Sequence, residues 1–191
     1  MKIRSITFFS LFAMGICSVL FSGGCSSRRY VKDMMTAMIG YRIEFPDALT
    51  SVNADQMEDE ALLSYDGKAK LVMFISPEEC STCRISKMYL ADTLFRIKSY
   101  DDLVPVVIIR PDEARRDSII EAIRFNWFEF PVYEDKEGEF LKSNSVIPED
   151  ERFHTFLVGK DDRILLVGNP MLDERIMNLY IETLSSKTKC L

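Results

Sequence analysis

Two cysteines, Cys80 and Cys83, are separated by Ser81 and Thr82 and follow an apolar run over residues 71–75. A short apolar run bounded by turn residues is typical of a buried strand, and we expect a helix to begin at the cysteines. Two intervening residues then place both sulfurs on the first helical turn, close enough to bridge. A helix N-terminus stabilises a thiolate on Cys80, because unpaired N–H groups and the helix dipole favour negative charge. The spacing therefore predicts reversible disulfide chemistry.

The elements that must position this pair alternate along the chain. Strands are predicted where apolar runs occur: 71–75, 104–109, 130–133, 152–158 and 164–167. Helices are predicted where apolar residues recur at helical spacing: 80–98, 112–125 and 172–184. Asp161 and Asp162 form a turn signal, so the last two strands are predicted to make a hairpin. This order predicts an α/β fold with a mixed central sheet and helices on both faces.

The N-terminus has the pattern of an export signal. Lys2 and Arg4 precede an apolar stretch over 6–21, and the small residues 22–24 lead to Cys25. This pattern is typical of a secretory signal peptide. The cysteine after Gly-Gly resembles the lipobox of bacterial lipoproteins, in which that cysteine becomes the lipidated N-terminus. The alternative is a plain signal peptide in which Cys25 has no role.

Cleavage before Cys25 leaves 167 of the 191 residues, which is a one-domain length, and takes the formal charge from −6 to −8. An acidic chain without a basic stripe disfavours nucleic acid as a partner. Cys17 belongs to the discarded segment, and Cys190 is predicted to be a free thiol near the C-terminus. The predicted division is a signal peptide over 1–24, a lipidated N-terminus and tether over 25–45, a folded domain over 46–186, and a tail over 187–191.

Three further segments extend the pattern: Phe130-Pro131-Val132, Thr155-Phe156-Leu157-Val158 and Lys160-Asp161-Asp162-Arg163-Ile164. Together with the cysteine pair they resemble the thioredoxin fold and, within it, the periplasmic thiol–disulfide oxidoreductases of the redoxin class. The resemblance implies a thioredoxin-like three-layer sandwich, with Cys80 as exposed nucleophile and Cys83 as buried resolving thiol. It implies a redox-active disulfide in place of a cofactor. The implied partners are exported proteins with thiols or disulfides and an upstream electron donor or acceptor, met at the bacterial cell envelope by a lipid-anchored, periplasm-facing protein.

Three positions depart from that family. Glu79 stands where an aromatic residue usually precedes the first cysteine, and a carboxylate opposes a neighbouring thiolate by like-charge repulsion. Phe74 stands where a buried acid often shuttles the proton of the second thiol. The cis-proline that normally faces the cysteines is absent, and Phe153 or His154 aligns with it. A cis bond before a residue other than proline costs about 3–4 kcal/mol, so this loop is predicted to be trans.

His154 is the only histidine in the chain. Directed at the pair, it would act as a general base for Cys83 or complete a Cys80, Cys83 and His154 site for copper or zinc. The alternative that the sequence favours is a histidine on the outer face of a half-buried strand. Three ligands leave a structural zinc site incomplete, so a metal is not favoured. Ser81 and Thr82 either tune the pair through hydrogen bonds to sulfur or are ordinary first-turn residues.

Two function classes follow from these observations. The first is a membrane-tethered extracytoplasmic thiol–disulfide oxidoreductase that exchanges disulfides with exported proteins, in a direction left open because related pairs span about −120 to −270 mV. The second is a redox-inactive or metal-binding lipoprotein of the same fold, similar to copper chaperones. The absent proline and His154 favour the second class, whereas the Cys-x-x-Cys spacing favours the first, which is the predicted function.

Overall fold

A computed structural model describes residues 23–53, 67–78, 103–126, 128 and 130–188. The chain separates into two compact units, Met1–Ala37 and Met38–Leu191. Within the first unit, the structure describes helix α1 (Gly23–Met38), whose last residue, Met38, is the first residue of the second unit. Among the residues given above, no helix is both long and apolar enough to span a membrane. The predicted limits of the signal peptide, tether and domain stay predictions.

In the described part of the second unit, six strands form one sheet. They are β1 (Thr50–Ser51), β2 (Ala69–Ile75), β3 (Leu103–Ile109), β4 (Val132–Glu134), β5 (Thr155–Val158) and β6 (Ile164–Val167). Three helices accompany them: α2 (Arg116–Phe125), α3 (Glu139–Ser143) and α4 (Glu174–Thr188). Single turns of 3-10 helix precede α2 and β5, at Glu113–Arg115 and Glu151–Phe153.

The sheet is mixed, with the strand order β1-β4-β3-β2-β5-β6. β2 runs parallel to β3, and β3 runs parallel to β4. β5 lies antiparallel to β2 and forms the predicted hairpin with β6. Every residue of β2 and β3 is buried, which is expected of parallel strands covered on both faces.

One face of the sheet packs against α2 and α4. Side chains alternate along a strand, and the odd-numbered residues of β2 belong to a single apolar cluster. Ile119 and Ile123 of α2 and Tyr180 of α4 are members of the same cluster. The hydroxyl of Tyr180 donates a hydrogen bond to the Gly168 carbonyl at 2.9 Å, and burial raises the pKa of this phenol. The two helices therefore form one outer layer of the sandwich.

The opposite face is covered by aromatic side chains. The ring of Phe74 in β2 lies 5.6 Å from that of Phe140 in α3, and Phe45 stacks on Phe140 at 6.3 Å. The N-terminus of α3 is fixed by Asp135, whose carboxylate accepts the backbone N–H groups of Glu139 and Phe140. Helices therefore lie on both faces, as the predicted three-layer architecture requires.

The strand predicted over 130–133 begins at Val132 and the helix predicted over 172–184 begins at Glu174. Two other predicted elements start with a 3-10 turn in the structure. The predicted strand over 152–158 begins at Thr155, because the side chain of Asp150 accepts the Arg152 N–H at 3.1 Å and closes a 3-10 turn over 151–153. The predicted helix over 112–125 begins as a 3-10 turn capped by Asp112, and its α-helical part begins at Arg116. The predicted helix over 80–98 lies outside the described residues.

The end of the sheet at which β2 begins contains a buried ion pair. Lys70 in β2 is 1 % exposed, and its ammonium lies 2.6 Å from Asp162 in the turn between β5 and β6. The ammonium also donates to the Lys68 carbonyl at 3.1 Å and lies 5.8 Å from the centre of the Phe45 ring. A buried ammonium needs such partners, because an unpaired charge inside a protein is strongly unfavourable.

We predict that Asp162→Asn lowers the free energy of unfolding by about 2–3 kcal/mol, because the Lys70 ammonium stays buried while its counter-charge is lost. Asparagine tolerates the positive φ of 62° at this position, so backbone strain does not confound the result. The matched control is Asp161→Asn, which removes an exposed carboxylate 3.7 Å from Arg163 and should cost less than about 0.5 kcal/mol. Urea unfolding of both variants measures the difference, and equal losses would contradict the assigned role of the ion pair.

Candidate functional site

The predicted catalytic pair and three of its supporting residues lie outside the described residues. These are Cys80, Cys83, Glu79, Ser81 and Thr82, and their roles stay predictions. The backbone of Cys25, the predicted lipidation site, belongs to α1, and its lipidation also stays a prediction. The structure describes the chain that enters the cysteine motif (residues 80–83) and the loop that holds Phe153 and His154.

The segment that enters the cysteine motif is fixed by the connection between β3 and α2. β2 ends at Ile75, whose carbonyl accepts the backbone N–H of Arg110 at 2.9 Å. Two residues later, the carbonyl of Pro77 accepts a hydrogen bond from the Arg115 guanidinium at 2.6 Å. Ser76 between them is buried, whereas Glu78 beyond them is exposed. The chain therefore leaves the sheet along a defined path.

The loop before β5 lies at the same end of the sheet. Thr155, the first residue of β5, pairs with Met73, and the carbonyl of His154 accepts the N–H of Phe74 at 2.8 Å. Phe74 is two residues before Ser76, so His154 lies beside the end of β2. Every described peptide bond is trans, that between Phe153 and His154 included, which confirms the predicted trans loop.

His154 is buried, not displayed on the outer face of a strand, so that interpretation was wrong. Its side chain is 0 % exposed, and its ring lies edge-on to Phe74 at 5.1 Å between centroids. Nε2 lies 2.9 Å from the carbonyl oxygen of Pro148. A carbonyl only accepts, so Nε2 carries a hydrogen and donates it. A role for Nε2 as base or metal ligand would first require this hydrogen bond to break.

Phe153 and the residues before it form a compact turn. Phe153 is 1 % exposed, and the Arg152 guanidinium lies 5.8 Å from the centre of its ring. The same guanidinium binds both oxygens of Asp150, at 2.6–3.1 Å. The hydrogen bonds from Arg152 hold the pKa of the Asp150 carboxyl below its usual range, and the nearby His154 contributes in the same direction. The Asp150 carboxylate thus stabilises the turn that directs His154 inward.

Phe74 is a buried aromatic residue at the position where the family often has a buried acid. It is 0 % exposed and contacts the rings of Phe140 and His154. A phenyl ring carries no proton to transfer, so proton transfer at the cysteine pair must use other groups. Within the described ranges, no three His, Cys, Asp or Glu side chains are grouped to hold a metal ion.

The sequence did not predict a role for two residues that contact the described part of the site, Arg115 and Pro148. Arg115 lies 38 positions from the carbonyl that it binds, and no periodic pattern reveals such a contact. Pro148 contributes a backbone carbonyl, which side-chain patterns do not identify.

Comparison with solved structures identifies the architecture. A thioredoxin-like protein solved in its oxidised form superposes with a TM-score of 0.51 at 14% identity, over 80% of this chain and 99% of that one. A candidate protein disulfide isomerase from Bacteroides thetaiotaomicron gives a TM-score of 0.50 at 17% identity, over 77% of this chain and 91% of that one. A candidate thiol:disulfide interchange protein DsbE from Chlorobium tepidum gives 0.50 at 16% identity, over 76% and 97%.

This chain has a thioredoxin-like fold. The predicted fold class is therefore confirmed. Scans against protein-family models and against curated protein sequences found no match. In this thioredoxin-like fold, the cysteine motif follows the central strand β2, and His154 directly precedes the neighbouring strand β5.

We predict that His154→Leu lowers the free energy of unfolding by about 2 kcal/mol, because the partly buried Pro148 carbonyl loses its donor. His154→Gln is the matched variant, since its amide N–H reaches toward the same carbonyl. It should be more stable than His154→Leu by about 1 kcal/mol, the net contribution of one hydrogen bond. Urea unfolding compares the two, and equal stability of the variants would contradict a structural hydrogen bond at Nε2.

Proposed function

We propose that this protein is a thiol–disulfide oxidoreductase that acts through Cys80 and Cys83. The observation that carries the proposal is the position of the Cys-x-x-Cys motif directly after the central strand of a thioredoxin-like fold. Two solved structures of similar fold are described as a protein disulfide isomerase and a thiol:disulfide interchange protein, which supports the same chemistry here.

In the reducing direction, the proposed reaction has two exchange steps. The Cys80 thiolate attacks one sulfur of a substrate disulfide, so that a Cys80–substrate disulfide forms and the other substrate sulfur leaves as a thiolate. Cys83, as a thiolate, then attacks the Cys80 sulfur, and the second substrate sulfur leaves. Two electrons pass from the cysteine pair to the substrate, whose thiolates take up two protons. The oxidising direction is the reverse of these steps.

The supporting residues have distinct proposed roles. Glu79 opposes thiolate formation by its charge, whereas Ser81 and Thr82 donate hydrogen bonds to sulfur. Phe153 and His154 shape the loop that takes the place of the proline loop. Because both of their side chains are buried, this loop offers a partner its backbone and its exposed neighbours, such as Glu151. Partner choice therefore differs from that of proteins with a proline in the loop.

We propose that the pair works without metal or organic cofactor, because the electrons move between sulfur atoms alone. A metal bound through Nε2 of His154 would have to displace the Pro148 carbonyl 2.9 Å away. The partners in this proposal are exported proteins with thiols or disulfides and an upstream electron donor or acceptor. The protein is held at the bacterial cell envelope, facing the periplasm, by a lipid on Cys25.

We predict that Cys80→Ser abolishes disulfide exchange, because the attacking thiolate is lost. Cys83→Ser should accumulate a mixed disulfide between Cys80 and the substrate, because the resolving thiol is missing. Exchange is measured with a fluorescent oxidised-glutathione substrate, and the mixed disulfide as a mass increase that dithiothreitol reverses.

The matched control is Cys190→Ser, which removes a cysteine outside the pair and should leave the exchange rate unchanged. Full exchange activity in Cys80→Ser would place the chemistry elsewhere.

A further inference from the structure

An exposed arginine from another element binds the backbone just before the cysteine motif. Nη2 of Arg115 donates a hydrogen bond to the Pro77 carbonyl at 2.6 Å. Pro77 stands three residues before Cys80 in the sequence. A hydrogen bond from a charged donor is shorter and stronger than a neutral one, and it fixes the plane of the peptide that it binds. The Pro77–Glu78 peptide thus has a defined orientation at the entry to the motif.

Arg115 is held in place to make this bond. It closes the 3-10 turn that Asp112 caps, and its backbone N–H donates to the Asp112 carbonyl at 2.9 Å. Its own carbonyl accepts the Ser118 hydroxyl at 2.8 Å. The side chain is 50 % exposed and lies 3.8 Å from the Asp112 carboxylate. The backbone and the guanidinium of Arg115 are therefore both held in place without a substrate.

Neighbouring arginines are directed elsewhere. Arg116 forms two hydrogen bonds with Glu134, at 2.6 and 2.7 Å. The guanidinium of Arg110 lies against Gly138, where an added Cβ would meet it at 2.6 Å. Of these three described arginines, Arg115 is the one that binds the segment entering the motif.

We propose that Arg115 is a positioning residue for the cysteine pair, which orients the Pro77–Glu78 peptide and brings a permanent positive charge beside the acidic entry to the motif. This inference rests on the proposed function. Carboxylates near Arg115 counteract its positive charge. They are Asp112 and Glu113 on the same 3-10 turn and Glu78 on the bound segment, with Glu79 next in sequence. The Arg115 guanidinium offsets the carboxylates that disfavour a thiolate.

The test uses three variants of the full-length protein. Arg115→Gln removes the charge, and Arg115→Lys keeps it. The control, Arg163→Gln, removes an exposed guanidinium that likewise binds a backbone carbonyl, that of Gly40 at 2.7 Å, and lies beside an aspartate, Asp161. Arg163 lies in the turn after β5, at the end of the sheet where β2 begins, away from Ile75 at which β2 ends. The rate of Cys80 alkylation is followed against pH by mass spectrometry, which gives the pKa of its thiol.

Arg115→Gln should raise the pKa of the Cys80 thiol by about half a unit, as expected for loss of a partly solvated charge. The equilibrium with glutathione should shift about threefold toward the oxidised pair, since the reduced form loses thiolate stabilisation. In Arg115→Lys the pKa of the Cys80 thiol should stay close to the wild-type value, and in Arg163→Gln it should equal the wild-type value. A thiol pKa in Arg115→Gln equal to that in Arg163→Gln would overturn the inference and leave the proposed function standing. An ordinary thiol profile at Cys80 in the wild type, without exchange with glutathione, would instead overturn the proposed function.

Discussion

Strand β2 is buried on both faces and paired on both edges, and the candidate site depends on this constraint. β3 bonds it along seven residues, and β5 pairs with it from the other side. Near the start of β2, Lys70 forms an ion pair with Asp162. Near the end of β2, Phe74 packs against Phe140 of α3. A strand held in this way neither rotates nor slips, because a shift of one residue would exchange its two buried faces. The segment that follows it therefore begins from a fixed position and direction.

The loop before β5 is held by side-chain contacts, where the family resemblance implies a cis-proline. The Asp150 carboxylate closes a 3-10 turn, Phe153 is buried, and His154 donates from Nε2 to the Pro148 carbonyl. These contacts hold a trans backbone beside the end of β2. Arg115 adds a second fixed point from the opposite side of the strand, at Pro77. Local hydrogen bonds and burial thus hold in place both segments beside the end of β2, and a site for the proposed exchange would need such a preorganised surrounding.

The sequence predicted the elements whose signal is periodic. The apolar runs of β2, β3 and β6 and the closing helix lie where expected, since burial on a strand or helix face leaves a repeating pattern. Helix α3 was missed, because its five residues are too short for a period and its start depends on Asp135. The burial of His154 was missed because it depends on the turn at Asp150. The bond from Arg115 to Pro77 joins residues far apart in sequence, so only the folded chain reveals it.

The central claim is that Cys80 and Cys83 form a reversible redox pair on this frame. The most direct test is a titration of the full-length protein in glutathione buffers of graded potential, with the thiol content of both cysteines read as an alkylation mass shift. We predict one reversible two-electron transition shared by Cys80 and Cys83 within the range of about −120 to −270 mV spanned by related pairs. A pair that stays oxidised under strong reduction, or one that never oxidises, would contradict the account.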